Sequence, residues 1–197
     1  MTSKLLHSLC QDAVFSLKGI KLKKELKMVD RFGIVVTGVA GRMGQMLIKT
    51  IMSSHTMHLA GAIEQSHHNW IGRDVGDAMG LASLGVVVSD DASSVLSGAK
   101  AVIDFTAPEA TVVFNEIAAE AGVAHIIGTT GFDAKHLARI SNSAHKIPIV
   151  RAGNMSLGVN LLVNLTKQVA AALDADFDIE IIEAHHNKKI DAPSGTA

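Results

Sequence analysis

The segment from Glu183 to Ala197 contains the residues best suited to carry out chemistry. It combines two adjacent histidines, two adjacent lysines and a Ser-Gly-Thr turn. His185 can hold or deliver a proton near neutral pH, and Lys189 can offer its ammonium to a carboxylate or a proton to a developing amine. The run Pro193-Ser194-Gly195-Thr196 is typical of a helix start, whose N–H groups and hydroxyls receive a carboxylate. The segment therefore predicts a site for a small anionic substrate.

Each of these residues also has a simpler interpretation. The sequence contains 10 histidines, and a single histidine more often serves structure or solvation than catalysis. Lys188 fits a solvated position, and Ser194 or Thr196 fits a plain helix cap. A metal site is disfavoured for two reasons. Adjacent histidines lack the i, i+4 spacing of zinc-binding helices, and the only cysteine, Cys10, is distant in the sequence from this segment. We expect no metal.

A glycine-rich turn predicts a dinucleotide site. Gly38-Val39-Ala40-Gly41-Arg42-Met43-Gly44, called the glycine turn below, follows a β-branched run and precedes a helical pattern. Gly38 permits a tight turn, Gly41 lets a pyrophosphate approach the backbone, and Gly44 lets helix and strand pack closely, while the helix start supplies N–H groups. Similar turns occur in α/β proteins that bind no nucleotide, so the glycines alone leave nucleotide binding open.

Glu64 strengthens the dinucleotide interpretation. It ends the second predicted strand, about 20 residues beyond the glycine turn, where a carboxylate can accept hydrogen bonds from the adenosine ribose. Taken alone, Glu64 is also typical of a solvated strand end. Gln65 follows where a phosphate-selective enzyme would benefit from a cation, although Arg42 could still reach a 2′-phosphate. We therefore expect NADH to serve at least as well as NADPH.

Two further loops follow predicted strands at their carboxyl ends. They are Gly128-Thr129-Thr130-Gly131 and Ala152-Gly153-Asn154-Met155. Ligands of open α/β sheets bind at this edge, so both loops are candidates for dinucleotide contacts. Taken alone, either loop is equally typical of an ordinary turn.

From Arg31 onward, short β-branched runs alternate with segments of helical period, and these are the elements that must position the candidate residues. The alternation indicates an α/β fold with a Rossmann-type doubly wound parallel sheet. Helices are predicted to begin near Arg42 and Leu157, and one helix is predicted to begin at Pro108 and end at Gly122. The predicted strands are Gly33–Gly38, Met57–Glu64, Gly85–Ser89, Ala101–Phe105, Ala124–Gly128 and Ile147–Val150.

The same patterns predict the domain organisation. Residues 31–153 form the dinucleotide-binding domain, and residues 154–197 begin an α+β substrate-binding and tetramerisation domain. The run Phe177–Ala184 alternates too little to be assigned to one face of a sheet. Residues 1–30 form an N-terminal extension to which we assign no role.

Composition excludes several classes of function. The 197 residues include 18 Lys plus Arg and 19 Asp plus Glu, and this balance gives no field for non-specific binding of nucleic acid or an anionic membrane. No apolar run approaches the ~20 residues that a membrane-spanning helix needs, and residues 1–12 do not form a usable export signal. Together with the single cysteine, this predicts a cytoplasmic protein.

The segment Glu183–Ala197, called the chemical segment below, resembles the signature of the 4-hydroxy-tetrahydrodipicolinate reductases, also called dihydrodipicolinate reductases. The glycine turn, Glu64 and the two later loops resemble this family in order and spacing, so that the similarity covers about Phe32 to Ala197. The signature residues are His185, His186 and Lys189, followed by Asp191-Ala192-Pro193-Ser194-Gly195-Thr196-Ala197.

This resemblance implies an NAD(P)H-dependent reduction of a cyclic dicarboxylate in lysine (diaminopimelate) biosynthesis. By analogy, His185 is the general acid/base and Lys189 the proton donor. His186, Gly195 and Thr196 bind substrate carboxylates. The dinucleotide is held by Gly38–Met43, Glu64, Gly128–Thr130 and Ala152–Met155. Family members form homotetramers.

Family members also continue beyond this motif through a second domain. We therefore expect the chain to be truncated at its C-terminus, with apolar surface exposed that favours aggregation. A different class of function stays open, namely a non-catalytic NAD(P)-binding module or an inactive fragment. Another amino-acid or semialdehyde dehydrogenase would require a catalytic cluster other than His185 and Lys189.

Overall fold

The computed structural model describes residues 31–187, 193, 194 and 196. The N-terminal extension and the predicted site residues Lys189 and Gly195 lie outside the described residues.

Six parallel strands form one sheet in the order β3-β2-β1-β4-β5-β6. This order reverses direction between β1 and β4, as in the doubly wound dinucleotide-binding sheet. The predicted fold class is confirmed. The strands are β1 (Phe32–Thr37), β2 (Met57–Ile63), β3 (Val88–Ser89), β4 (Ala101–Asp104), β5 (Ala124–Ile127) and β6 (Ile149–Arg151).

In the part of the chain that the structure describes, six helices connect and follow the strands. Pro108 begins α4 and Gly122 caps its end with a φ of 70°, so both predicted boundaries of this helix are confirmed. The helices are α1 (Arg42–Met52), α2 (Val75–Ala78), α3 (Ala92–Leu96), α4 (Pro108–Ala121), α5 (Ala134–Ser143) and α6 (Leu157–Ala172).

The core lies on both faces of the sheet because consecutive residues of β1 point to opposite sides. Ile34 and Val36 pack with α1 residues such as Ile48, whereas Val35 packs with residues of α3 and α4 such as Leu96. A strand that is covered on both faces reads as a continuous apolar run, which explains the sequence pattern of β1.

Two strands begin two or more residues later than predicted, whereas the bounds of the other four strands differ from the prediction by at most one residue at each end. β3 begins at Val88 rather than Gly85, because the N–H of Val86 donates to the Asp74 carboxylate and Val87 forms an isolated bridge with Asp74. β6 begins after Pro148, which has no N–H to donate to a ladder.

Helix α6 and the residues after it present apolar side chains to the surface. Ser156 caps α6 by accepting a hydrogen bond from the N–H of Val159. Leu157 is 87% exposed and Ile182 is 92% exposed. The run Phe177–Ala184 forms neither helix nor strand. Within the described part of the chain, no helix has the length and apolar character required to cross a membrane.

Candidate active site

The predicted dinucleotide loops lie at one edge of the sheet, where the parallel strands end. The glycine turn follows β1, the Gly128–Gly131 loop follows β5, and the Ala152–Met155 loop follows β6. The crevice between the ends of β1 and β4 is the switch point at which open α/β sheets bind ligands.

The glycine turn has the geometry of a phosphate-binding turn. Gly38 has a φ of 63°, in the left-handed region that glycine adopts without strain. A Cβ on Gly44 would overlap the carbonyl oxygen of Gly38 and lie 2.7 Å from Cα of Val39. Gly44 therefore allows helix α1 to lie close to the glycine turn. The sequence predicted that Gly44 allows close packing of the helix on the strand, whereas the backbone it contacts is that of Gly38 and Val39 in the turn.

Backbone N–H groups at the start of α1 remain available for an anion. The N–H of Val39 donates to Ile63 O, and that of Gly41 donates to Gly38 O. In the first turn of a helix the N–H groups, here those of Arg42 and Met43, have no intrahelical acceptor. Val39 is fully buried, so its side chain supports the turn from within.

Glu64, predicted to bind the adenosine ribose, lies against the glycine turn. Its Oε2 accepts a hydrogen bond of 2.9 Å from the N–H of Ala40, and its Oε1 accepts one of 2.9 Å from the N–H of Gln65. Two backbone donors thus orient the carboxylate beside the turn, and its remaining lone pairs can accept from a ribose.

The three predicted residues after β5 have different environments. A Cβ on Gly128 would overlap the ring of Phe105, so glycine is required for this close approach. Thr129 is 5% exposed, and its hydroxyl accepts a hydrogen bond of 2.8 Å from Thr111. Thr130 is exposed. The Thr129 hydroxyl is thus engaged within the fold, whereas Thr130 faces outward.

A buried carboxylate lies beneath this edge, and the sequence analysis did not single it out. Asp104 ends β4 and is fully buried, and its Oδ1 accepts hydrogen bonds from Thr37 and Thr106. Burial is the largest influence and raises the pKa of Asp104, but the hydrogen-bonding groups around it, led by His125, together hold the pKa below its ordinary value. An aspartate ending an apolar strand was the available sequence signal.

Asn154 joins the loop after β6 to the chemical segment. Its Nδ2 donates a hydrogen bond of 2.9 Å to Oγ1 of Thr196. Its Oδ1 accepts from the N–H of Ser156, and its carbonyl oxygen accepts from Asn160. Asn154 is thereby held from both sides at the start of α6.

Glu183 organises the chemical segment. Its Oε1 accepts a hydrogen bond of 2.8 Å from the N–H of Ser194, and its Oε2 lies 3.3 Å from Nδ1 of His185. One carboxylate therefore orients the histidine and ties it to the turn that contains Thr196. The sequence analysis included Glu183 in the segment but assigned it no role.

A cavity of about 590 Å³ connects the predicted cofactor and substrate residues. Leu162, Ile181 and other residues of α6 and the following run form its apolar wall. Its polar lining includes Asn154, Glu183, His185 and Thr196. The structure thus brings together Asn154, His185 and Thr196, whereas the exposed His186 is not among the lining residues.

The chain matches two descriptions of one protein family. Residues 32–155 match "Dihydrodipicolinate reductase, N-terminus", and residues 158–197 match "Dihydrodipicolinate reductase, C-terminus".

Curated relatives agree with this match. The 4-hydroxy-tetrahydrodipicolinate reductase of Ruegeria sp. (strain TM1040) is 63% identical over 170 residues, which are 86% of this chain and 63% of the relative. That of Rhizobium meliloti is 46% identical over 164 residues, which are 83% of this chain and 68% of the relative. The chain therefore spans less than two thirds of the length of the Ruegeria relative.

Solved structures show the same likeness. The dipicolinate-bound dihydrodipicolinate reductase of Paenisporosarcina sp. TG-14 superposes with a TM-score of 0.66 and 27% identity, covering 84% of this chain and 62% of the other. An amine dehydrogenase from Mycobacterium smegmatis superposes with a TM-score of 0.53 and 26% identity, covering 62% of this chain and 39% of the other. The family matches over both segments and the identity to these relatives establish that the chain belongs to the dihydrodipicolinate reductase family.

Proposed function

We propose that this chain carries the cofactor-binding and acid/base residues of a 4-hydroxy-tetrahydrodipicolinate reductase of lysine biosynthesis. The observation that carries the proposal is the cavity shared by Asn154, His185 and Thr196, because it joins the loop after β6 to the chemical segment. We also propose the division into a dinucleotide-binding domain at residues 31–153 and the start of a substrate-binding domain at residues 154–197.

The glycine turn and Glu64 fit a nicotinamide dinucleotide. The N–H groups of Arg42 and Met43 would receive the pyrophosphate, since the α1 start also places positive dipole there. Glu64 would accept hydrogen bonds from the adenosine ribose while the N–H of Ala40 holds it in place. The backbone of the Gly128–Gly131 loop and of the Ala152–Met155 loop would complete the site.

We propose that NADH serves at least as well as NADPH. The Glu64 carboxylate is oriented toward the glycine turn, where it would repel a 2′-phosphate, and Gln65 offers no cation. Arg42, exposed at the start of α1, is the residue that could offset this repulsion. A kcat/KM ratio favouring NADPH by more than about tenfold, ~1.4 kcal/mol, would contradict the proposal.

In the proposed reaction a hydride and a proton are added to the cyclic substrate, and water leaves. The bound nicotinamide supplies the hydride. The Glu183 carboxylate lies 3.3 Å from Nδ1 of His185 and would hold a proton there, which would leave Nε2 to exchange a proton with the substrate in the cavity that His185 lines. The role of Lys189 as proton donor follows from the family resemblance.

The substrate in this proposal is a small cyclic dicarboxylate. The related reductase of Paenisporosarcina binds dipicolinate, a planar dicarboxylate. Thr196 lines the cavity and its hydroxyl accepts a hydrogen bond from Asn154, which supports a role for Thr196 at one carboxylate. His186 and Gly195 complete the carboxylate site in the proposal, on the basis of the family resemblance.

The test is NADH oxidation by the protein with and without 4-hydroxy-tetrahydrodipicolinate. We expect consumption only with the substrate present. His185→Gln and Lys189→Ala should lower kcat by about 100-fold or more while the dissociation constant of NADH stays within twofold. Equal loss of NADH binding would contradict the assigned roles, and NADH binding without turnover by the wild-type protein would favour a non-catalytic binding module.

We propose that the protein forms a homotetramer, as the family resemblance implies. Sedimentation equilibrium would test this, and a monomeric protein would contradict it.

A further inference from the structure

Beneath the dinucleotide edge, two titratable side chains are buried together without a role in the proposed reaction. Asp104 ends β4, and His125 lies on the adjacent strand β5. Both side chains have 0% exposure, and Nε2 of His125 lies 3.4 Å from Oδ2 of Asp104. This distance is longer than an ordinary hydrogen bond but short enough for strong electrostatic attraction in a buried place.

Three donors converge on Oδ1 of Asp104, one from the end of β1 and two from the loop after β4. The Thr37 hydroxyl at the end of β1 donates at 3.0 Å. The hydroxyl and the N–H of Thr106, which follows β4, donate at 2.6 Å and 2.9 Å. Thr37 directly precedes Gly38, so this carboxylate oxygen ties the glycine turn to the loop after β4.

The other side of the pair is fixed by Asn115 of α4. Its side-chain amide nitrogen lies 3.0 Å from Nδ1 of His125. An amide donor at Nδ1 assigns the ring proton to Nε2, which faces Oδ2 of Asp104. The imidazole thus supplies a donor toward the carboxylate from a third element, β5.

The network continues to the loop after β5. The hydroxyls of Thr106 and Thr111 are 3.5 Å apart, and the Thr111 hydroxyl donates to that of Thr129 at 2.8 Å. Hydrogen bonds to Asp104 therefore join the loops after β1 and β4. The loop after β5 is hydrogen-bonded to Thr111, which packs beside Thr106.

A buried carboxylate is a poor device for stability alone. Removing an ionised group from water is costly, and apolar side chains of the same volume often stabilise a core as well or better. Hydrogen bonds, by contrast, are directional, so a carboxylate with several donors holds its neighbours in one geometry. The donors around Asp104 therefore suit a need to hold the loops at this edge of the sheet in fixed positions.

We propose that Asp104, supported by His125, is a positioning residue that holds the glycine turn and the loops after β4 and β5 in their dinucleotide-binding arrangement. The proposal rests on the proposed function, since it assigns these loops to the cofactor. Asp104 acts through its neighbours and does not contact the reacting atoms.

The test compares NADH affinity, measured by fluorescence titration, with stability, measured by urea unfolding. Asp104→Ala removes the carboxylate that accepts from Thr37 and Thr106, and we expect it to weaken NADH binding by about tenfold or more. Asp104→Asn keeps Oδ1 as an acceptor. Nε2 of His125 can accept from the new amide when the ring proton moves to Nδ1 and the Asn115 amide turns over, so that its Oδ1, which has no hydrogen-bond partner, accepts from Nδ1. We expect Asp104→Asn to recover most of the lost affinity.

Thr37→Val provides a milder variant if Asp104→Ala fails to fold. It keeps the side-chain shape but disconnects the glycine turn from Asp104, so NADH binding should weaken by about threefold or more. The matched control is Leu96→Ala, which opens a cavity in the core on α3 and lowers stability. Its NADH affinity should match that of the wild type.

The outcomes separate this proposal from the proposed function. If the wild-type protein fails to bind NADH, the assigned cofactor site and the positioning role both fall. If it binds NADH and the affinity of the folded Asp104→Ala or Thr37→Val variant stays within twofold, only the positioning role is overturned. An equal loss of affinity in Leu96→Ala would also overturn it, because destabilisation alone would then explain the effect.

Discussion

The side-chain amide of Asn154 donates a hydrogen bond of 2.9 Å to the hydroxyl of Thr196, 42 positions further along the chain. From the sequence, Asn154 was assigned to the dinucleotide and Thr196 to the substrate carboxylates. The hydrogen bond joins these two sets of residues in the lining of one cavity. In the proposed function, binding of one ligand would therefore bias the position of a residue assigned to the other.

We expect Asn154→Ala and Thr196→Val to affect ligand binding non-additively. Because each substitution breaks the same hydrogen bond, the double variant should lose less affinity than the sum of the two single variants, by about 0.5–1.5 kcal/mol. The measurement is NADH affinity in the presence of saturating dipicolinate. Thr50→Val on α1, whose hydroxyl bonds only within its helix, is the control. Strict additivity would show that the hydrogen bond does not couple the two sites.

Replacing Gly44 by alanine should destabilise the fold and weaken NADH binding. The new Cβ would overlap backbone atoms of the glycine turn, which cannot yield as a flexible side chain can. We expect a loss of about 1–3 kcal/mol in the free energy of unfolding. Urea unfolding measures the stability, and fluorescence titration measures the NADH affinity.

Gly158→Ala is the matched control for Gly44→Ala. Gly158 lies in the first turn of α6, and its added Cβ would meet only Ser156 Oγ, at 3.9 Å. Alanine favours helix over glycine, so stability should be unchanged or rise by up to about 1 kcal/mol. Equal destabilisation by the two substitutions would contradict the close contact at Gly44.

Asp74 should make stability depend on acidic pH. Its carboxylate accepts hydrogen bonds from backbone N–H groups that include those of Leu84 and Gly76, which lower its pKa from 3.8 to about 2, with the contribution of Leu84 the largest. A depressed folded-state pKa adds stability that is fully present above the unfolded value. This contribution is lost as the pH falls from about 4 towards about 2.

The measurement for Asp74 is the urea midpoint of the wild type and of Asp74→Asn between pH 7 and pH 3. Asparagine cannot ionise, so the variant should be less stable at pH 7 and should lose less stability on acidification. Asp90→Asn, an exposed aspartate before α3, is the control and should follow the wild type. Parallel curves for the wild type and Asp74→Asn would refute this origin of the pH dependence.

Replacing Glu183 by glutamine should slow turnover with little effect on NADH binding. Glutamine keeps the shape of the side chain but loses the negative charge that faces Nδ1 of His185. We expect kcat to fall by about 10-fold to 100-fold, less than for His185→Gln. Glu180→Gln, an exposed neighbour in the same run, should leave kcat unchanged. An unchanged kcat in Glu183→Gln would show that the carboxylate does not support the histidine.

Local patterns in the sequence sufficed to predict much of the fold and part of the candidate site. The β-branched run of β1, the glycine turn and the start of α1 are contiguous, and the acid at Glu64 follows one strand later. Their arrangement depends on backbone preferences and on the right-handed connection of parallel strands, which are readable from short segments. For the same reason the bounds of α4 agreed with the capping residues Pro108 and Gly122.

The tertiary structure decided what depends on distant contacts. No local pattern indicates that the buried Thr129 hydroxyl accepts a hydrogen bond from Thr111, or that Asp104 faces His125. β3 is shorter than predicted because Asp74 captures the N–H of Val86. The sequence by itself determined which residue types are available to bind and react. The packing of strands and loops that are far apart in the chain decided which partners orient these residues. The physical reason is that the directions of side-chain hydrogen bonds are defined only once those elements meet.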